Sequence, residues 1–259
     1  AAGENLTILP EDRALTVDIT GGGVTGISYE VRSMDRARLV ERTEVSDWQQ
    51  TQQGIAATLP IQNLLTKERE YQLIIQLDTE NYGSVYYYTR ILWTDSAQHA
   101  RDMVDLAADF SIKTFDYEQA KSLTTYLETS PSEDNSTFGH TSIHSSFSQL
   151  TWGKLGMQPE EPVEIRLKEL DGVMCGIQLS YRAKRQDEEG TETYEVEEDF
   201  TMKWNELRIY MMQYDRTVNQ IFAGDRSEFS GKRILLGITG DDRIELVKSA
   251  GGRVSVFRV

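Results

Sequence analysis

The sequence predicts a mainly β protein with α+β character: an N-terminal β-sandwich (residues 1–94), an α+β domain of two helices plus an antiparallel meander sheet (95–224), and the start of a further β unit (225–259). Three observations predict this class. Six segments between residues 15 and 92 alternate apolar and polar side chains, as half-buried strands do. Apolar residues then recur at helical spacing in two segments. From residue 141 long alternating segments return.

Each of the six N-terminal segments offers one apolar face, which a sandwich of two packed sheets requires. The segments are "LTVDIT", "GISYEVRS", "RLVERTEV", "IAATLP", "YQLIIQLD" and "SVYYYTRIL". The triplet Gly21–Gly23 lies between the first two segments. A phosphate-binding loop needs a helix after its glycines, and here a strand follows, so we interpret the triplet as a turn.

Two helices are predicted after "WTD". The first, in "SAQHARDMVDLAADFSIKTF", presents an apolar stripe at helical spacing. The stripe consists of Ala100, Met103, Val104, Ala107 and Phe110. The second helix begins at Asp116, in "DYEQAKSLTTYLE".

The C-terminal half is predicted to contain long antiparallel strands. They are "TSIHSSFSQLTW", "PVEIRLKEL", "VMCGIQLSYRAKR", "TYEVEEDFTMKW" and "LRIYMMQY". Asp-Gly in "LKELDGVMC" marks a hairpin. A three-residue loop, Leu170–Gly172, would pair Leu167 with Cys175 and keep the apolar side chains on one face, so we predict that loop.

Apolar and polar side chains alternate along "TYEVEEDFTMKW". Glu198 is the one carboxylate of this segment that lies on its apolar face, beside Phe200 and Met202. We therefore expect it to be buried, with a nearby arginine as its partner, because a buried charge needs compensation. The acidic residues of the opposite face, Glu197 and Asp199 among them, are interpreted as a solvated surface.

The tail is predicted to be a short helix followed by short strands. The segment "DRTVNQIFAGD" places Val218, Ile221 and Phe222 at helical spacing. The segments "KRILLGI", "RIELVKS" and "RVSVFRV" then alternate as strands, with a Gly-Gly hairpin in "KSAGGRV".

The stretch "GHTSIHSSFSQLTWG" contains His140 and His144, which would form a zinc signature on a helix. We interpret the stretch as a strand, with Ile143 and Phe147 on one face and the histidines on the other. On a strand the two Cα atoms lie about 13 Å apart, too far for the imidazoles to share one metal. We therefore expect no metal site.

Composition excludes several classes of function. With 42 acidic and 27 basic residues, the net charge of −15 opposes phosphate backbones and anionic lipid surfaces, so we expect neither nucleic-acid nor membrane contact from this segment. The single cysteine, Cys175, forms no intramolecular disulfide and no thiolate metal cluster. No cofactor motif is present, and we expect no cofactor.

Three resemblances extend this prediction. The run "LLTKEREYQLIIQL" resembles a segment of fibronectin type III and related immunoglobulin-like domains, in which a Leu, a polar turn and a Tyr lead into a core strand. The order of two helices and a curved meander sheet resembles nuclear transport factor 2-like and cystatin-like α+β domains, many of which hold a small ligand.

The third resemblance spans nearly the whole chain, in stretches such as "GISYEVRSMD", "YYYTRIL", "IHSSFSQLTWG" and "MMQYDRTVNQIF". These are similar to the extracytoplasmic region of large, uncharacterised, single-span membrane proteins of Gram-positive anaerobic bacteria. The resemblance implies a place at the cell surface, behind a removed N-terminal membrane span, and no active-site residues. The chain starts without Met and ends in a strand-like segment, so we expect it to be part of a longer protein.

These observations predict a non-catalytic binding or spacer module whose partner is a cell-surface protein or a glycan. An alternative is a cone-shaped α+β domain that binds a small ligand or acts as an enzyme, with Tyr181, Glu198, Trp204 and Tyr210 as candidate site residues. A further alternative is surface glycan binding, which requires an exposed aromatic platform. The sequence does not indicate an oligomeric state.

Overall fold

The computed structural model describes residues 5–62, 65–187 and 190–221, and the short segments 229–230, 233–234, 238, 245–248 and 255–258. The described chain is mostly strand with a minority of helix, which confirms the predicted β-rich α+β class. Two compact units emerge: residues 1–101 with 167–173, and residues 102–166 with 174–259. The division into three domains at residues 94 and 224 stays a prediction.

Eight strands lie wholly within the described residues of unit 1 and form two sheets, ordered β1-β8-β7-β3-β4 and β2-β6-β5. The strands are β1 (Leu6–Ile8), β2 (Ala14–Thr20), β3 (Val24–Ser33), β4 (Leu39–Glu44), β5 (Trp48–Gln50), β6 (Gly54–Pro60), β7 (Glu70–Thr79) and β8 (Gly83–Leu92). All six predicted strands are present. The two that sequence patterns missed, β1 and β5, have three residues each and are too short to show a period.

The two sheets of unit 1 share one apolar core. Tyr29 and Val31 of β3 and Ala57 and Leu59 of β6 are among its fully buried members. These residues alternate with more exposed ones along their strands, as the period of two predicts. The turn at Gly21–Gly23 leads directly into β3, as expected.

The helices lie mainly in unit 2. They are α1 (Ala97–Lys113), α2 (Tyr117–Ala120), a 3₁₀ helix (Lys121–Tyr126) and α3 (Phe147–Leu150). The predicted second helix does begin at Asp116, whose carboxylate accepts hydrogen bonds from Glu118 N and Gln119 N. These bonds, with one from the Gln119 side chain, lower the pKa of Asp116. After one turn the helix tightens into the 3₁₀ form.

The sheet of the second unit is antiparallel, in the order β10-β11-β12-β13-β9. Its strands are β9 (His140–Ser142), β10 (Gln158–Asp171), β11 (Met174–Asp187), β12 (Gly190–Trp204) and β13 (Ile209–Gln220). Along β12 the buried residues alternate with more exposed ones from Tyr194 to Met202, as predicted. The last residues of β10 belong to unit 1 in the division above.

The prediction of one long strand from residue 141 to 152 is wrong. Only His140–Ser142 is strand; a turn follows, and then α3. Serine side chains explain the difference, because they bind nearby backbone groups and compete with a sheet ladder. Ser145 Oγ accepts from Ser142 N at 2.9 Å, and Ser146 Oγ caps α3 by accepting from Gln149 N at 3.2 Å.

The prediction of a short helix from residue 215 is also wrong. Asp215–Gln220 continues β13, paired with β12 so that Val218 faces Val196. The apolar spacing was compatible with a helix, but pairing with a neighbouring strand decided the structure. Ile221 ends this described segment, and Phe222 lies outside the described residues.

The predicted hairpin loop Leu170–Gly172 is wrong in length. Leu170 and Asp171 belong to β10, and the loop is Gly172–Val173, with Gly172 in the left-handed conformation (φ +57°). The odd-numbered residues of β10 were expected to face the core, and this expectation is wrong. Ile165 is instead 42% exposed, and the buried residue near the loop is Leu170.

Short strands are also described near the C-terminus: β14 (Phe229–Ser230), β15 (Arg233–Ile234), β16 (Glu245–Lys248) and β17 (Ser255–Arg258). β16 and β17 pair antiparallel, as the predicted hairpin requires, although its Gly-Gly turn lies outside the described residues. None of the helices described is long and apolar enough to cross a membrane.

Candidate functional site

The candidate site centres on Glu198, a carboxylate in the middle of β12. The alternation of this strand directs Glu198 to the buried face, between Val196 and Phe200, and its exposure is 0%. The sequence-based expectation of burial is therefore confirmed. A carboxyl group removed from water needs hydrogen bonds or a positive charge to compensate for its lost hydration.

Tyr214 supplies the hydrogen bond. It lies on β13, and its hydroxyl donates to Glu198 Oε1 at 2.7 Å. Phe110 of α1 packs against the rings of Phe200 and Tyr214, with centroid separations of 5.7 and 4.9 Å. Side chains therefore fill the space between helix and sheet around the carboxyl group.

Arg216 supplies the positive charge. It pairs with Glu198 in the β12–β13 register and is itself fully buried. The expected arginine is thus present, but its guanidinium donates to Leu150 O at 3.0 Å, Gln149 O at 2.9 Å and Thr141 Oγ1 at 3.3 Å. Among the residues described here, Glu198 Oε2 has no hydrogen-bond partner.

Burial raises the pKa of Glu198, because the charged form loses its hydration. The charge of Arg216 and the hydroxyls of Ser111, Tyr214 and Tyr181 act in the opposite direction without cancelling the increase. Burial, together with the neighbouring Glu198, also raises the pKa values of Tyr181 and Tyr214 well above the ordinary range. The site is therefore a buried cluster of hydroxyl and carboxyl groups in which burial disfavours the charged form of Glu198.

Trp152 positions Arg216. The guanidinium carbon lies 3.6 Å from the centroid of the Trp152 ring, which is close enough for a cation–π interaction. The indole Nε1–H donates to Thr114 Oγ1 at 3.2 Å, and Phe115 stacks on the same side chain at 5.2 Å. α3 and the residues that follow it thus hold the arginine in place.

A groove of about 320 Å³ lies beside this cluster, lined by residues of α1, β10 and β11. Ser111 and Tyr181 belong both to the groove wall and to the cluster, and the Ser111 hydroxyl donates to the Tyr181 hydroxyl at 3.4 Å. Most of the lining is apolar, including Ile112, Val163 and Ile165. Glu198 does not line the groove.

The structure brings together only two of the four residues predicted from sequence. Tyr181 and Glu198 share the cluster. Trp204 lies at the far end of β12, about 20 Å along the strand from Glu198. Tyr210 pairs with Lys203 near that end, and the Arg208 guanidinium carbon lies 4.1 Å from the centroid of its ring.

The two histidines have separate partners. His140 Nε2 lies 3.2 Å from Asp215 Oδ1, and His144 Nδ1–H donates to Glu128 O at 3.0 Å. Within the described ranges, no group of three or more His, Cys, Asp and Glu side chains is arranged to hold a metal ion.

Sequence reasoning missed Arg216, Tyr214, Trp152 and Ser111. A signal existed for the first two: "YDRTV" alternates as a strand, with Tyr214, Arg216 and Val218 on one face. No such sequence signal existed for Trp152 or Ser111, since their contacts join segments that are distant in sequence.

No family model matches this chain, and a search of curated proteins finds no match either.

Proposed function

We propose that this chain is a non-catalytic binding module of a membrane-anchored protein, exposed outside the cytoplasmic membrane, and that its α+β unit binds a small, uncharged apolar molecule in the groove. The N-terminal pair of sheets would be an immunoglobulin-like or fibronectin type III-like sandwich. The helices and meander sheet would form a nuclear transport factor 2-like or cystatin-like domain.

One observation supports this proposal above the others: two large aliphatic side chains are exposed in the same concavity. Ile112 of α1 is 52% exposed and Ile165 of β10 is 42% exposed, and both line the groove. Apolar side chains clustered in a concave site are typical of ligand pockets, whose volumes begin at about 300 Å³. The carboxylates of Asp109 and Glu161 also line the groove and disfavour an anionic ligand.

The position of Glu198 supports binding over catalysis. A general acid must reach the group that it protonates. Glu198 is fully buried and does not line the groove, whereas Tyr181 does. We therefore assign Glu198 a structural role: it fixes Tyr214 and sets the electrostatic environment of Tyr181. The enzymatic alternative would require the cluster to open.

A neutral fluorescent probe, N-phenyl-1-naphthylamine, tests the groove. We expect saturable fluorescence enhancement with the unmodified chain. Ile165→Asp should weaken binding by about tenfold or more, because the buried contact of one aliphatic side chain is lost. Ile165 is partly exposed in a strand at the edge of its sheet, so the fold should tolerate this change.

The matched control is Leu207→Asp. Leu207 is 90% exposed between β12 and β13 and does not line the groove, so the same change there should leave probe binding unaltered. Equal loss in both variants, or no saturable binding, would refute the groove as a ligand site. Glu198→Gln should retain binding, since the carboxylate does not contact the ligand.

A separate measurement tests the location. In cells that produce the full-length protein, a membrane-impermeant amine-reactive biotin reagent should label this segment, for example at the exposed Lys121. A cytoplasmic protein of known location serves as the control. Labelling of this segment only after cell lysis would contradict the cell-surface proposal.

A further inference from the structure

The five-stranded sheet of unit 1 presents an ordered set of side chains on its outer face. Across four strands, the register places Tyr86 beside Gln76, Gln76 beside Ser28, and Ser28 beside Glu44. These side chains alternate with those that point into the core, so they share the face opposite to it. Tyr86 is 49% exposed.

A second row runs parallel to the first. It consists of Tyr88, Ile74, Glu30 and Arg42, again one residue from each strand. The rows are about 7 Å apart, the separation of alternate residues along a strand. Together they line a concavity of about 530 Å³, which we name the tyrosine trough.

Hydrogen bonds hold several polar groups of the tyrosine trough in place. Glu30 accepts from Arg42 Nε at 2.7 Å and from Arg32 Nε at 2.6 Å, so one carboxylate orients two guanidinium groups. Gln76 donates to Asp78 Oδ1 at 2.9 Å. A ligand would meet planar donors and acceptors whose positions are already fixed, which lowers the entropic cost of binding.

Charge identifies the class of ligand. The chain as a whole is strongly acidic, yet the lining of the tyrosine trough contains two glutamates and two arginines, so its formal charge is balanced. Fixed polar groups of both signs lie beside the exposed ring of Tyr86 and the half-buried ring of Tyr88, and this combination suits a neutral molecule rich in hydroxyl groups. Such a molecule must also present an apolar C–H face to the rings.

We propose that the tyrosine trough is a binding site for a neutral glycan chain, with Tyr86 and Tyr88 stacking on sugar rings and Arg42, Glu30 and Gln76 hydrogen-bonding their hydroxyls. A protein partner fits this face less well. The centre of a protein interface is depleted in charged residues, and here four charged residues surround a single aliphatic side chain, Ile74. This inference does not depend on the groove of unit 2.

Native affinity electrophoresis tests the inference. The gels contain one soluble polysaccharide each: mixed-linkage β-glucan, glucomannan, dextran or amylopectin as neutral probes, and polygalacturonate as an anionic one. We expect at least one neutral polysaccharide to retard the chain and polygalacturonate not to. Tyr86→Ala should raise the apparent Kd about tenfold, and Tyr86→Phe should preserve most of the affinity, since stacking needs only the ring.

Tyr82→Ala is the matched control, because Tyr82 is 84% exposed in the β7–β8 turn and does not line the tyrosine trough. It should leave retardation unchanged, as should Ile165→Asp in the other unit. Retardation by none of the neutral polysaccharides overturns the proposal. So does retardation only by polygalacturonate, equal effects of Tyr82→Ala and Tyr86→Ala, or a protein ligand that Tyr86→Ala abolishes while no glycan binds.

Discussion

Glu198 and Arg216 show how one buried acid and one buried base coexist in this fold without a direct ion pair. The Arg216 guanidinium donates hydrogen bonds to the carbonyl oxygens of Gln149 and Leu150, and it lies over the Trp152 ring. Glu198 accepts a hydrogen bond from the Tyr214 hydroxyl through Oε1, and its Oε2 has no hydrogen-bond partner in the described structure. The acid is consequently the less well compensated of the two, which accords with its raised pKa.

This imbalance predicts a pH dependence. The folded-state pKa of Glu198 is raised above its ordinary value of 4.5, so above pH 4.5 the folded chain keeps a proton that the unfolded chain releases. The free energy of unfolding should therefore fall as pH rises through this window, by about 1.4 kcal/mol for each unit of pKa increase. Glu198→Gln carries no titrating group and should lose this contribution.

Urea unfolding of both proteins between pH 4 and pH 8 measures the effect. We expect the stability of Glu198→Gln relative to the unmodified chain to increase with pH, because all other titrating groups are shared. Tyr214→Phe is the complementary variant. It removes the donor to Glu198 Oε1 and should cost about 1–3 kcal/mol at neutral pH. Parallel stability profiles for Glu198→Gln and the unmodified chain would show that the pKa is not raised.

At the scale of the element, strands with one buried face were predictable and short polar elements were not. β3, β6 and β12 each show their period of two in the sequence because water lies on one side and a core on the other. The burial of Glu198 followed from the same pattern.

Residues 143–150 could not be assigned from periodicity. Ile143 and Phe147 are four residues apart, which fits one face of a strand and also one face of a helix. The hydroxyls of Ser145 and Ser146 accept hydrogen bonds from backbone N–H groups and so stabilise a turn and α3 instead of a strand. The contact of Arg216 with Trp152 had no local signal at all, since it depends on where α3 lies against β13.

The close pairing of β2 and β6 predicts that replacing Gly54 destabilises the fold. A Cβ atom at this position would lie 1.9 Å from Ile19 O, and the backbone has φ +154°, which other residues rarely adopt. We expect Gly54→Ala to lower the free energy of unfolding by about 2–4 kcal/mol. Chemical denaturation with urea measures this loss.

Gly83→Ala is the control for backbone strain alone. Gly83 has φ +68°, but no atom of the described part of the chain lies within 4 Å of the position that an alanine methyl group would occupy, so the cost should be only about 1 kcal/mol. Similar losses at Gly54 and Gly83 would mean that the approach of Ile19 O relaxes without cost.

At the scale of the whole molecule, the net charge of −15 and the pI near 4.7 imply self-repulsion at neutral pH. Most ion pairs in the described structure join partly exposed side chains, such as Lys121 with Glu118, and exposed pairs stabilise a fold by less than about 1 kcal/mol each. Repulsion among the excess carboxylates should therefore be the larger salt-sensitive contribution to stability.

Raising NaCl from 0.01 to 0.15 M shortens the Debye length from about 30 to about 8 Å and screens that repulsion. We expect the thermal unfolding midpoint at pH 7 to rise by several degrees, and to change little at pH 4.7, where the net charge is close to zero. Differential scanning calorimetry at the four conditions measures both effects. A midpoint that falls with salt at pH 7 would show that attractive pairs outweigh the repulsion, because screening weakens the dominant interaction.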